Sequence, residues 1–369
     1  MSAPGEERLR TSTRDLSVLR GQVEDWLRGR LPGASGVTVS EPEQPGGNGM
    51  SSETLMFTAS WTEAGTPRTV ECVARLAPAE EAVPVFPAYD LGRQFRLMRL
   101  ARERAGVPAP RALWFETDPR HLGTPFFVME RERGLVPPDV LPYTFEGWLL
   151  DASPAERALL QRESVAILAR LHDAPYADGE LAFLGPADHA LRRHVDEQRA
   201  YYRWAHAERP IPVLERAFAW LEDHWPEDPG TAVLNWGDAR IGNVIYRDFR
   251  PAAVLDWEMA ALAPREVDLA WMTFLHRFFQ DIAEALGLPG LPDFMRPSDV
   301  CAQYAEMTGY EPRDLRFYEM YAALRHGVIM GRVWRRRVRF GEQPEPEDPD
   351  DLVMHRATIE RMLDGRYWA

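Results

Sequence analysis

The 369-residue chain contains no lysine, so apart from histidine its 43 basic side chains are all arginine. A guanidinium stays charged and is no nucleophile, which excludes a lysine Schiff base, a lysine nucleophile and a phosphate loop of the G-x-x-x-x-G-K-[ST] type. Cysteine is nearly missing as well. Cys72 and Cys301 are too few for a disulfide framework and stand in no metal-binding pattern, so both are expected as buried thiols. No run approaches the roughly 18 apolar residues of a membrane span, and the polar stretch Met1 to Arg14 lacks the apolar centre of a signal peptide. A cytoplasmic location is expected. The net charge of −14 repels phosphate backbones and anionic membranes, so neither nucleic acid nor a membrane is an expected partner. The one basic run, GRVWRRRVRF from Gly331 to Phe340, reads as a solvated helix face.

What is present is enough apolar residue, 45%, to bury one large domain or two lobes. Leu16, Leu19, Val23, Trp26 and Leu27 fall at helical spacing in an opening helix from Asp15 to Leu31, closed by Pro32-Gly33. Strands are expected at 37–40, 54–61 and 69–76, the last two forming a hairpin turned by Glu63 to Pro67. A helix from about Tyr89 to Ala105 and strands at 111–116 and 125–130 complete a small, mainly antiparallel lobe over residues 1–132. Residues 133–369 read as largely helical, with helices at 154–172, 190–207, 211–224, 267–286, 314–340 and 350–364. The fold class is therefore α+β, with no repeat of fixed period.

One strand-turn-strand segment interrupts the helical half: VLNWGDARIGNVIYRDFRPAAVLDWEMA, Val233 to Ala260. If Asn243–Tyr246 and Ala252–Asp256 pair about the turn Arg247–Pro251, their outer ends lie about 5 Å apart across the ladder. Asn243 and Asp256 then become neighbouring hard oxygen donors, the kind that Mg²⁺ takes together with phosphate oxygens. Asp238, five residues before Asn243 on a Gly-led loop, is placed to receive a hydroxyl proton near that metal.

Gly-Asp-x-x-x-x-Asn followed by a strand pair ending in Asp resembles the catalytic loop and metal-binding Asp of protein kinases, and more closely the aminoglycoside phosphotransferase and choline kinase family. The resemblance implies a two-lobed protein-kinase-like fold, with Asp238 orienting or deprotonating an acceptor hydroxyl and Asn243 and Asp256 holding Mg²⁺ on ATP or GTP. Asp268, in REVDLAWM, resembles the family's second acidic residue, which braces the catalytic loop. Gly47, Asn48, Gly49, Met50, Ser51 and Ser52 stand where kinases fold a Gly-rich loop over the phosphates. Arg75, in CVARLAP, takes the position of the usual phosphate-binding lysine and can donate two parallel hydrogen bonds. Gln94 stands in for its usual glutamate partner. Phe127 to Arg131 resembles the hinge strand, with Met129 and Arg131 as adenine contacts. Trp236 replaces the histidine that commonly opens the loop, which implies changed packing rather than lost chemistry.

The phrases YDLGRQF, PFFVMER and LPY look closest to bacterial aminoglycoside phosphotransferases and to kinase domains associated with acyl-CoA dehydrogenases. The implied activity is transfer of a γ-phosphoryl group to the hydroxyl of a small molecule, an aminoglycoside or a hydroxyacyl thioester, by a monomer or homodimer. A non-catalytic nucleotide-binding pseudokinase is the reading that Arg75, Gln94 and Trp236 would favour.

Overall fold

The computed structural model describes residues 16–44, 52–78 and 83–368. The chain divides into two compact units: the described residues up to Phe95 with Arg111–Arg131, and Arg96–Pro110 with Glu132 onward.

The first unit opens with α1 (Leu16–Arg30) and continues through β1 (Ala34–Val39), β2 (Glu53–Glu63), β3 (Thr66–Leu76), the start of α2 (Leu91–Glu103), β4 (Ala112–Glu116) and β5 (Phe126–Glu130). The five strands form one antiparallel sheet in the order β1-β2-β3-β5-β4. Leu19, Val23, Trp26 and Leu27 recur every three or four residues and so share one face of α1, which packs on Leu55, Phe57, Cys72, Ala74, Phe126 and Val128 from alternate positions of the sheet. The hairpin of β2 and β3 is tighter than expected. Glu63 pairs with Thr66, and only Ala64 and Gly65, both at positive φ, turn the chain. Such a two-residue turn matches the right-handed twist of its strands, which lets them run to eleven residues each.

The second unit adds α3 (Trp148–Asp151), α4 (Pro154–His172), α5 (Ala190–Ala205), α6 (Pro212–Asp223), β6 (Val233–Asn235), β7 (Val244–Arg247), β8 (Arg250–Val254), β9 (Ala261–Ala263), α7 (Arg265–Ala285), α8 (Pro297–Thr308), α9 (Arg316–Arg339) and α10 (Arg356–Leu363). Ser153 and Glu156 form a reciprocal capping box with Pro154 at the first helical position, which fixes where α4 starts. Two short two-stranded ladders, β6 with β9 and β7 with β8, are set among the helices. The unanticipated helix α8 buries only Val300 and Tyr304, too narrow an apolar stripe to stand out, although Pro297 opens it and Gly309 closes it at φ 69°. The helix expected over 350–364 is a short 3-10 turn, Pro349–Leu352, then α10, with the buried His355 between them. Of the two cysteines only Cys72 is buried; Cys301 is half-buried, and desolvation raises their thiol pKa values to about 12 and about 11.

Candidate active site

The expected strand pair closes by a shorter route than the sequence suggested. Asp248 and Phe249, both left-handed at φ 50° and 61°, make a two-residue turn, and Arg247 faces Arg250 across it. Asn243 is not in the strand but ends a single 3-10 turn, Ile241–Asn243, immediately before β7. The ladder still brings it beside the segment that leads into Asp256. Val244 pairs with Val254, so Asn243 stands opposite Leu255, whose N–H donates to the Asn243 carbonyl at 2.9 Å. Asp256 follows directly, with a left-handed backbone (φ 59°) that costs a non-glycine residue about 1 kcal/mol and must be held from outside.

Trp236 supplies that hold. Its ring is fully buried, and its Nε1–H is shared between the carbonyls of Leu255 at 2.8 Å and Asp256 at 3.2 Å. The departure from histidine thus leaves an N–H donor on the segment that carries Asp256. The next residue, Gly237, has φ 88°, and a Cβ there would sit 2.0 Å from the Met259 carbonyl oxygen, so no other residue fits the loop.

The loop is anchored from α7. Asp268, fully buried, accepts from the N–H of Trp236 at 2.6 Å and of Gly237 at 2.8 Å, and its own N–H donates to Asn235 Oδ1 at 3.1 Å. His172 Nε2 lies 3.3 Å from the same carboxylate and Nδ1 lies 2.8 Å from the Tyr304 hydroxyl. A carboxylate can only accept, so the proton belongs on Nε2 and the Tyr304 hydroxyl donates to Nδ1.

Asp238 emerges from this scaffold half-buried, with both oxygens committed. Oδ1 accepts from Trp271 Nε1 at 2.8 Å; Oδ2 accepts from Asn243 Nδ2 at 2.6 Å and Arg240 Nε at 3.1 Å. Spending the Asn243 amide group on Asp238 leaves Oδ1 of Asn243 as the atom available to a cation. Arg240 forms a second ion pair with Asp139 through Nη1. Burial works against its charge, but Asp238, Asp139 and Asp256 together raise its pKa. Gly242 makes room for this contact, since a Cβ there would fall 2.5 Å from Arg240 Nη1 and 2.6 Å from Asp139 Oδ1.

The donor set suits magnesium. Among the described residues no cluster of three or more His, Cys, Asp or Glu could hold a metal alone; an amide oxygen and a carboxylate, as Asn243 and Asp256 carry, are hard donors of the kind that Mg²⁺ takes together with phosphate and water.

In the first unit, Arg75 lies on β3 and donates from Nη1 to Thr54 Oγ1 at 3.1 Å. Gln94 is buried on α2, and Ser52 is buried just before β2. Met129 pairs with Val73 and with Ala112 inside the sheet, and the Arg131 N–H donates to the Glu71 carbonyl at 2.8 Å. The Arg131 N–H is therefore already engaged within the first unit. Gly47, Asn48, Gly49, Met50 and Ser51 lie outside the described residues.

Sequence reasoning missed Arg240, Trp271 and Asp139. The first two carried a signal: Arg240 is two residues from Asp238, and Trp271 is three residues from Asp268, on the same face of α7. Asp139 carried none, being about a hundred residues away in a proline-rich loop.

Residues 56–297, well over half the chain, match the family described as the phosphotransferase enzyme family, and the chain belongs to it. Its class is thus a kinase-type phosphotransferase. Mouse acyl-CoA dehydrogenase family member 10 is 28% identical over 279 residues, covering 72% of this chain and 24% of that protein. Chicken acyl-CoA dehydrogenase family member 11 is 31% identical over 193 residues, 52% of this chain and 24% of that protein. This chain spans about a quarter of the length of these curated relatives. Among solved structures, a candidate aminoglycoside phosphotransferase from Ralstonia eutropha superposes with TM-score 0.66 at 22% identity, over 94% of this chain and 98% of that one. The aminoglycoside phosphotransferase APH(4)-Ia, in a ternary complex with AMP-PNP and hygromycin B, superposes with TM-score 0.53 at 14% identity, over 93% and 98%. The α+β, kinase-like fold read from the sequence is the fold of these structures.

Proposed function

We propose that this chain transfers the γ-phosphoryl group of a magnesium-bound nucleoside triphosphate, ATP or GTP, to a hydroxyl of a small molecule. The observation that carries this reading is the arrangement around Asp238: three donors fix its carboxylate, and one of them is the amide group of Asn243, whose backbone carbonyl accepts from the N–H of Leu255 next to Asp256.

In this mechanism Asp238 orients the acceptor hydroxyl and takes its proton as the oxygen–phosphorus bond forms. The β–γ bridging bond breaks, and the electron pair leaves with the nucleoside diphosphate. Asn243 Oδ1 and the Asp256 carboxylate would hold magnesium, which when bound neutralises charge on the phosphate oxygens. Asp268 holds the backbone of the loop, and Trp236 holds the carbonyl of Asp256, so both act on geometry rather than on the reacting atoms. From the first unit, Arg75 and the segment Gly47 to Ser52 are proposed to bind phosphate, Gln94 to orient Arg75, and Met129 and Arg131 to contact the base through side chains or carbonyl oxygens.

The relatives bear the names of acyl-CoA dehydrogenase family members, which makes a hydroxyacyl thioester the first acceptor to try; the structural neighbours make an aminoglycoside the second. The test is phosphate transfer measured against hydroxyacyl-CoA esters, aminoglycosides, macrolides and amino alcohols, with Mg²⁺-dependent nucleotide binding followed in parallel. Stimulation by one class identifies the acceptor. Asp238→Ala should lower turnover by about 10² or more while nucleotide still binds. Protein that neither binds ATP with Mg²⁺ nor hydrolyses it slowly would defeat the proposal and favour a non-catalytic role.

A further inference from the structure

Arginine is rarely found fully buried, because removing a guanidinium from water costs several kcal/mol unless its donors are met. Arg325, in the middle of α9, is 1% exposed. Its Nη2 donates to the carbonyl of Gly237 at 2.9 Å, and its Nε and Nη1 have no hydrogen-bond partner among the described residues. Desolvation lowers its pKa, with Tyr321, Asp268 and Asp238 acting in the opposite sense. A methionine of similar length would fill the space without that cost, so packing alone does not explain a charge here.

The surroundings give it a task. The guanidinium carbon lies 4.4 Å from the centre of the Trp271 ring, within cation–π range. The same indole donates its N–H to Asp238 Oδ1 at 2.8 Å. A cation over the face of an indole draws electron density from the ring and strengthens the N–H as a donor. Arg325 therefore touches the loop twice, directly at the Gly237 carbonyl and through Trp271 at the Asp238 carboxylate.

We propose that Arg325 is a positioning residue for phosphoryl transfer: from α9 it clamps the backbone before Asp238 and, through the stacked Trp271 ring, keeps the indole N–H on the Asp238 carboxylate. This rests on the reading of Asp238 as the group that meets the acceptor hydroxyl. Arg325 does not touch the reacting atoms. Its contribution is the orientation of the one carboxylate that does, and small misplacements of such a group lower rates steeply.

Three substitutions separate this from simple packing. Arg325→Met removes the charge at similar length, Arg325→Lys keeps a cation, and Trp271→Phe keeps the ring and removes the N–H. Arg325→Met and Trp271→Phe should each lower kcat about 10-fold, with the affinity for Mg²⁺ and AMP-PNP within about 2-fold of the parent. The double variant should be no slower than either alone, because both changes break one chain of contacts. Arg325→Lys should recover most of the loss. In ¹⁵N-labelled protein the indole N–H signal that vanishes in Trp271→Phe should move in Arg325→Met and stay near its place in Arg325→Lys.

Parent-like kcat in Arg325→Met, additive losses in the double variant, or a Trp271 indole signal that does not move in Arg325→Met would each overturn the proposal. Should Arg325→Met not fold, Arg325→Gln, which also removes the charge but keeps hydrogen-bond donors, takes its place with the same expected loss of kcat and shift of the indole signal. If the parent shows no phosphotransfer at all, the functional reading fails separately. The indole signal would then still report whether Arg325 acts on Trp271.

Discussion

The two units bury different things. In the first, the described interior is almost wholly apolar: α1 lies on one face of the sheet, and Ser52, Glu53, Gln94 and Glu116 are the buried polar side chains. The second unit buries His172, His194, His206, His276, His326 and His355, six of the nine histidines in the chain, together with Asp268, Glu266, Arg325 and Arg336. A sheet with a helix across it can satisfy its backbone within the ladders and needs little else. The helical unit must also hold an irregular loop in its interior, and the backbone groups of that loop require side-chain partners. Part of this polar burial serves the loop, through Asp268, His172 and Arg325, and the buried histidines make the second unit sensitive to protonation near neutral pH.

The largest test of that contrast is acid. Desolvation pushes His206, His276 and His355 down from the usual 6.5 to about 4, and His326 well below its usual value. As pH falls the unfolded chain takes up these protons first, so the contribution of His206, His276 and His355 is full above about pH 6.5 and is lost progressively toward pH 4, on the order of 3 kcal/mol for each of these three. Segment-resolved hydrogen exchange at pH 7 and pH 5 should show α7, α9 and α10 loosening while β2 and β3 hold. Equal loosening of both units would break the comparison.

Asp268→Ala comes next. It strips the buried N–H groups of Trp236 and Gly237 of their acceptor and should lower stability by about 3–5 kcal/mol, read as a drop in denaturant midpoint. A midpoint that moves by less than 1 kcal/mol would mean that the loop finds other partners.

Glu116 is the exception in the first unit and gives a smaller effect. Although desolvation favours its neutral form, hydrogen bonds from the Asp118 N–H, Arg30 and Trp26 lower its pKa to about 2. The stability it adds is present above about pH 4.5 and is lost as pH falls toward 2. Glu116→Gln should cost about 1–2 kcal/mol at pH 7 and almost nothing at pH 2, by chemical denaturation. The smallest expected change is Ser153→Ala, which opens the capping box of α4 for about 1 kcal/mol and should leave turnover untouched.

The same contrast explains what could be read in the sequence. The apolar spacing of α1 and the alternation in β2 and β3 are short-range patterns, and they forecast the sheet unit closely. Around the loop, the spacing of Asp238, Asn243 and Asp256 was legible because the hairpin itself brings its ends together. The strand assigned to Asn243 was not, because the 3-10 turn depends on hydrogen bonds across the loop. Neither were the contacts of Asp139 and Arg325, which arrive from about a hundred residues before Asp238 and nearly ninety after it. The strand β9, Ala-Leu-Ala from Ala261 to Ala263, has little β preference of its own and exists because β6 pairs with it.

The indole of Trp236, tethered to the carbonyls of Leu255 and Asp256, is also a chromophore. Any displacement of Asp256 toward a bound cation must stretch or tighten that shared hydrogen bond. If the proposed function holds, the part of the near-ultraviolet signal that Trp236→Phe removes should therefore change when Mg²⁺ and nucleotide are added.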